Sequence, residues 1–355
     1  MYKVTDYLVQ SQQASAGHAE LRPLDTRGGG HVLATLWFLP LAICRVFLGR
    51  LRGQLAGVHI NMAERLSFFR KAGLVLACRA FGVPVIIHLH AAQMHHVYRG
   101  MPSWVQAYVR WVFSLANEVL VLGQASRRFV EQELLVPAAR VHPIINGVPP
   151  ATQVRRQRQP GTPFNVLFLG NLSERKGVTD LLRALALLKG REPRWQATIA
   201  GGGDVAGYTA LAEDLGLAGQ VSFFGWADQP AAARLMADAD ALVLPSYDEG
   251  LPLVVLEAMA NGVAVVCTPV GEIGHTFSDE REVLLVQPGD EQGIAAALSR
   301  LMSDDALREC LEQAGQTAWA QRFSMKAFFN AVAAAHQRVF ATHSVFDEQR
   351  FGGRP

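Results

Sequence analysis

Five short apolar runs between residues 164 and 267 constrain this chain more than any other feature. They fall at 164–169, 196–200, 221–224, 241–245 and 264–267, each only four to six residues long. Predominant apolarity over so few residues marks strands buried on both faces, the pattern of a parallel sheet. The stretches between them, 178–189, 206–215, 231–237 and 253–261, carry helical spacing. Strand followed by helix, repeated, predicts a doubly wound α/β sheet whose ligands sit at the carboxyl ends of its strands.

The first half repeats the theme less clearly. Strands are expected at 21–24, 57–60, 83–88, 118–122 and 141–145, with helices between them. Residues 147–163 hold four prolines, two glycines and three arginines, the composition of a linker. At 355 residues the chain is long enough for two domains. The expected organisation is an acceptor-side Rossmann-like lobe at 1–146, a linker at 147–163, a nucleotide-binding Rossmann-like lobe at 164–341 and a loose tail at 342–355. Two such lobes would face one another across a cleft.

Composition excludes several classes. Half the residues are apolar and 18% are charged, which rules out a disordered, collagenous or coiled-coil chain. Four scattered cysteines (Cys44, Cys78, Cys267, Cys310) make neither a disulfide framework nor a zinc ribbon and read as mostly buried thiols of a cytosolic protein. The most apolar run, 32–44, includes Pro40 and stops at Arg45, short of the roughly 20 residues a membrane span needs. The opening MYKVTDYLVQSQQ lacks the basic–apolar–small order of a signal peptide. Residues 1–150 carry 15 Lys and Arg against 7 Asp and Glu, whereas the remainder carries 18 against 24. A basic first half fits an anionic surface or substrate on that side. Residues 31–54, with Trp37, Phe38 and Phe47 beside Arg45, Arg50 and Arg52, read either as an ordinary core helix or as one lying on anionic lipid.

Three stretches carry chemistry. In ALVLPSYDEGLPLVVLEAMANG (241–262) a buried strand ends, a short loop holds Glu249, and Pro252 stands where a helix begins. Glu257 follows eight residues later, inside that helix. Backbone N–H groups near Gly250 and Leu251 would then point at a diphosphate or a sugar. In FLGNLSERKG (168–177) a strand turns at Gly170, and Arg175 and Lys176 precede the next helix, cations suited to phosphate oxygens. AGGGD (200–204), with Gly202 at its centre, is either a close backbone approach to ligand or a plain tight turn. Elsewhere His88 and His90 end a strand, followed by His95 and His96, with no acid or cysteine nearby to complete a metal site. Asp238 and Asp240 precede a strand and read as a helix-to-strand turn.

From about residue 165 to 318 these stretches resemble the family 4 retaining glycosyltransferases of GT-B fold. The resemblance rests on Glu249 and Glu257 as the family's E-x7-E pair, on GNLSERKG, on the glycine turn and on VSFFGW. More loosely, HINMAERLSFFRKAGLVLACRAFGVPVIIHLH and the later VLVLG and INGV are similar to members that build bacterial cell-surface polysaccharides. The resemblance implies that Glu249 binds donor-sugar hydroxyls and Glu257 the ribose. It implies that Arg175 and Lys176 neutralise the leaving diphosphate in place of a metal, and that His90 lies near donor sugar and acceptor. Gly170, Gly202, Tyr247, Gly250 and Leu251 would line the donor.

No metal or cofactor is expected. The expected partners are a UDP- or GDP-sugar, UDP before GDP, a glycan or lipid-linked glycan acceptor, and an anionic membrane touched peripherally from the cytoplasm. No nucleic acid is expected. Residues 5–12 read as the family's first helix, so its opening strand and glycine-rich loop are expected to be missing, and Gly28–Gly30 do not replace them. The residues leave open a sugar-nucleotide 2-epimerase and a nucleotide-sugar-binding remnant; a dehydrogenase lacks its G-x-G-x-x-G after the first strand.

Overall fold

The computed structural model describes residue 8 and residues 20–26, 35–63, 66–90, 94–156, 161–190 and 194–341. It divides into two compact units, residues 1–146 with 325–355, and residues 147–324. The expected opening helix (except Leu8), the triplet Gly28–Gly30 and the tail 342–355 lie outside the described residues.

The first unit runs α1 (Thr35–Leu51), β1 (Val58–Met62), α2 (Leu66–Ala80), β2 (Val85–Leu89), α3 (Met94–Arg99), α4 (Ser103–Ser114), β3 (Glu118–Val121), α5 (Gln124–Gln132) and β4 (Val141–Pro143). Its strands pair in parallel in the order β1-β2-β3-β4. Every residue of β2 and β3 is buried, His88 and Glu118 included, as strands covered on both faces require. Residues 21–24 (LRPL) form no strand, because Pro23 has no N–H to give a ladder.

The second unit runs β5 (Phe164–Leu169), α6 (Val178–Leu187), β6 (Trp195–Ala200), α7 (Val205–Asp214), β7 (Val221–Gly225), α8 (Gln229–Asp238), β8 (Ala241–Leu244), α9 (Leu253–Ala260), β9 (Ala264–Cys267), α10 (Ile273–Thr276), β10 (Leu284–Leu285), α11 (Glu291–Ser303) and α12 (Asp305–Ala318). Its parallel sheet has the order β10-β9-β8-β5-β6-β7. Strand order reverses at β5 and β8, so the crevice above their carboxyl ends is this sheet's topological switch point.

Two boundaries differ from the compositional reading. The C-terminal helix Met325–His336 clusters with the first unit, not with the second. It is held there by the bidentate bonds Arg338 donates to Glu118, both 2.9 Å, a pairing 220 residues apart that composition cannot show. The described part of 147–163 packs on the second unit. Arg155 donates twice to Glu312 at 2.7 Å, and Arg156 donates to Asp240 at 2.8 Å, so these two of the arginines read as linker residues are docking residues. Asp240 also accepts from the backbone N–H of Asn165 at 2.8 Å, which makes it a helix-to-strand turn residue.

Candidate functional site

Helix ends in the second unit separate into two kinds. Helices α7, α8, α11 and α12 each begin on an aspartate (Asp204, Asp228, Asp290, Asp304) whose carboxylate accepts a backbone N–H of the first turn at 2.8–2.9 Å. That satisfies one of the N–H groups a helix start leaves unpaired. Helix α10, of four residues, and helices α6 and α9 have no such cap; α6 and α9 begin after Gly177 and Pro252 without a side-chain hydrogen bond. These two follow β5 and β8, the strands at the switch point. Their positive dipole ends, without a side-chain cap, therefore collect where the sheet opens to ligand.

The loops before these helices are knit together. Tyr247 N–H donates to the Arg175 carbonyl at 2.9 Å, and the Arg175 guanidinium donates to the Asp248 carbonyl at 2.6 Å. Gly177 sits at φ +67°, where a Cβ would come within 2.1 Å of the Pro245 carbonyl oxygen, so only glycine permits this approach. Lys176 Nζ donates to Glu249 Oε1, and Ser246 Oγ donates to the same oxygen at 2.8 Å. The pair is nearly enclosed, with side chains 13% and 9% exposed. Ser246 is fixed in turn by Thr268 at the end of β9, whose hydroxyl donates to the Ser246 carbonyl at 2.5 Å. The N–H of the buried Glu272 donates to the Gly250 carbonyl at 2.9 Å, closing the loop from its other side.

Of the residues expected from sequence, Gly170, Arg175, Lys176, Tyr247, Glu249, Gly250 and Leu251 come together on these two loops. Arg175 is exposed, and Leu251 is buried just ahead of α9. Glu257 lies half-buried inside α9. The glycine turn serves two ends. At Gly201 a Cβ would meet the Gly170 carbonyl oxygen at 1.7 Å, so that residue is taken up by loop packing. At Gly202 the nearest atoms belong to the exposed Trp226 ring, 3.6 Å away, and nothing internal demands glycine there. Tyr247 is exposed, and its hydroxyl bonds to Asp180, whose carboxyl is pushed up by burial against the pull of that bond. Ser246, Thr268, Asp180 and Glu272 were not singled out from sequence. Ser246 stood inside the quoted motif; the others are separated from it in the chain.

His90 belongs to the first unit. It follows β2, with its ring 4.0 Å from that of His88, the shared face expected from two-residue spacing. His90 Nε2 lies 3.0 Å from Asn61 Oδ1, while His90 Nδ1 is buried without a partner. The array continues through His59, 3.2 Å from His88 and 2.8 Å from His336 of the C-terminal helix. Burial, reinforced by the neighbouring His59, holds His90 neutral down to about 3, and burial holds His336 neutral to about 4. Among the described residues no group of three or more His, Cys, Asp or Glu is arranged to hold a metal ion.

Residues 151–318 match the model of the family described as Glycosyl transferases group 1. The chain is 30% identical to a D-inositol 3-phosphate glycosyltransferase of Corynebacterium jeikeium over 313 residues, covering 73% of this chain and 74% of that one. It is 29% identical to a glycogen synthase of Mycobacterium tuberculosis over 267 residues, covering 73% of this chain and 63% of the relative. Among solved structures, a glycosyltransferase from Rickettsia africae superposes with a TM-score of 0.71 at 14% identity, covering 95% and 94% of the two chains. HepE of Anabaena in complex with UDP superposes with a TM-score of 0.67 at 20% identity, covering 84% and 82%. The fold is that of GT-B glycosyltransferases, two parallel-sheet α/β units.

Proposed function

Because the chain belongs to the group 1 glycosyltransferases, we propose that it is a retaining transferase that moves a sugar from a nucleoside-diphosphate sugar to a glycan or lipid-linked glycan. The family makes it a glycosyltransferase using a nucleotide sugar; donor base, stereochemistry and acceptor are the proposal. One observation carries it: two uncapped helix starts flank the enclosed Lys176–Glu249 pair at the sheet's switch point. Cations and helix starts without a side-chain cap on one crevice suit a diphosphate, and a carboxylate beside them suits sugar hydroxyls.

In this reading Arg175 and Lys176 bind the diphosphate, the work a metal does elsewhere. Gly170, Gly202, Tyr247, Gly250 and Leu251 line the donor. Glu249 orients the sugar, and Glu257 holds the ribose hydroxyls. The bond from the anomeric carbon to the diphosphate oxygen breaks with its electrons going to the diphosphate. The acceptor hydroxyl attacks from the same face, and its proton passes to the leaving phosphate oxygen. Such a step asks the protein for positioning and charge stabilisation more than for a base. His90, neutral above about 3, would act as a hydrogen-bonding group towards donor sugar or acceptor, not as an acid. UDP is the donor nucleotide we favour, on the strength of HepE, which was solved with UDP and with UDP-glucose. We place the enzyme in the cytoplasm, at the membrane face.

A thermal-shift titration with UDP, GDP, ADP and a nicotinamide dinucleotide tests the donor. A ligand at one hundred times its dissociation constant adds about 2.7 kcal/mol. UDP is expected to stabilise the second unit, and Glu257→Ala to abolish the effect. Stabilisation by none of the four, or an unchanged response in Glu257→Ala, overturns the assignment.

A further inference from the structure

Helix α1 is apolar on both sides. Its inner side, Ala42 (1% exposed) and Val46 (3%), is packed into the fold. Its outer side nonetheless presents Trp37, Leu41, Cys44, Leu48 and Leu51, spaced four and three residues apart and so in one stripe along the helix. Trp37 is 82% exposed and Leu51 66%. A surface helix usually turns polar residues to this side.

The neighbouring helices continue the feature. Helix α1 packs on α2, and α2 on α4. From α2, Phe69 stands exposed and stacks on Tyr108 of α4, ring centres 6.4 Å apart; Trp111, also exposed, lies 5.9 Å from Tyr108. Trp104, at the start of α4, is 74% exposed. Exposed aromatics and leucines on three helices packed in series mark an interaction surface, not scattered surface residues.

Charge selects the partner. Helices α1 to α4 contain no aspartate or glutamate. Between Asp25 and Glu118 the sequence has ten Lys and Arg and a single acid, Glu64. Arg45 and Arg52 are exposed beside the stripe. A second copy of the chain would set arginine against arginine, whereas anionic headgroups complement the cations and the acyl boundary takes the tryptophans and leucines. Helix α1 cannot span a bilayer: its 17 residues reach about 25 Å, Arg45 stands in the middle and one side is already packed.

We infer that the α1–α2–α4 face of the first unit docks on an anionic lipid surface, with α1 lying in the interface plane. The inference rests on the glycosyl-transfer reading only for its purpose, bringing the unit to a lipid-linked acceptor.

The test uses the full chain with vesicles of phosphatidylcholine alone and with one third phosphatidylglycerol. Co-sedimentation is expected to be at least tenfold stronger on the anionic vesicles and to be lost in Leu41→Glu/Leu48→Glu, where both changed side chains are exposed. With Cys310→Ser leaving Cys44 as the exposed thiol among the described cysteines, an environment-sensitive dye on Cys44 should shift to the blue on the anionic vesicles. Equal binding to both vesicle types, no binding, or concentration-dependent dimers that the same double variant dissolves would each overturn the inference. UDP-induced thermal stabilisation is read on the same samples. A protein that responds to UDP and ignores vesicles refutes docking alone, and one that docks without responding refutes the donor assignment alone.

Discussion

Replacing Lys176 with methionine should destabilise the second unit well beyond an ordinary surface change. Glu249 is 9% exposed in its side chain and shares its charge between Lys176 and the Ser246 hydroxyl. Methionine keeps the volume and removes the cation. Stranding one member of a buried pair costs about 3–5 kcal/mol. Here the Ser246 bond remains, and the start of α9 lies close in sequence to the carboxylate, so about 2–3 kcal/mol is expected. In Glu249→Gln the amide oxygen can still accept from both donors, and about 1 kcal/mol is expected. The double variant leaves no stranded charge and should cost about 1.5 kcal/mol, less than the sum of the singles by about 2 kcal/mol. For a unit of this size the Lys176→Met loss is a fall of roughly 5–10 °C in Tm. Calorimetry on the parent, both singles and the double gives the cycle. A Lys176→Met protein melting within 1 °C of its parent, or a double variant equal to the sum of the singles, would refute the claim that this pair is enclosed and coupled.

Two further outcomes follow from the geometry. Unfolded histidines titrate near 6.5, while His336 and His90 stay neutral to about 4 and about 3 in the fold. The unfolded chain therefore binds more protons below pH 6.5, and the first unit loses stability as pH falls from 6.5 towards 4, by up to about 1.4 kcal/mol per pH unit for each histidine. Hydrogen exchange of β2, corrected for the intrinsic rate, should show this, and His336→Phe should remove about one proton's share of the slope; equal protection at pH 7 and pH 5 would contradict it. Gly177→Ala places a Cβ 2.1 Å from the Pro245 carbonyl oxygen at φ +67°. It should cost at least about 2 kcal/mol and weaken nucleotide binding together with stability; a melting temperature equal to the parent's would show that the two loops are not in close contact.

Much of the second unit was legible because its signals are local. Runs such as ALVL and AVVC are too short and too apolar for anything but strands covered on both faces, and the structure has strands there, at Ala241–Leu244 and Ala264–Cys267. The first unit read less well: LRPL carries strand-like apolarity, yet one proline decides against it. The extent of the units was legible only in part. Proline and arginine content made 147–163 look like a free linker, but arginine content does not reveal that Glu312 and Asp240 lie within reach.

The sequence by itself determined the alternation of strand and helix and the two acidic and basic loops, since both are properties of a few neighbouring residues. Only the tertiary structure decided which of these meet. Lys176 and Glu249 are 73 residues apart and become partners because β8 pairs with β5 at the point where strand order reverses. His59, His88 and His336 form one array because β1 and β2 are adjacent and the C-terminal helix returns to the first unit. The outward stripe of α1 has the same status: spacing shows that Trp37, Leu41, Leu48 and Leu51 share a face, and only packing shows which face is inside. Local propensity acts over a few residues, whereas strand order, helix return and burial are set by contacts between segments far apart in the chain.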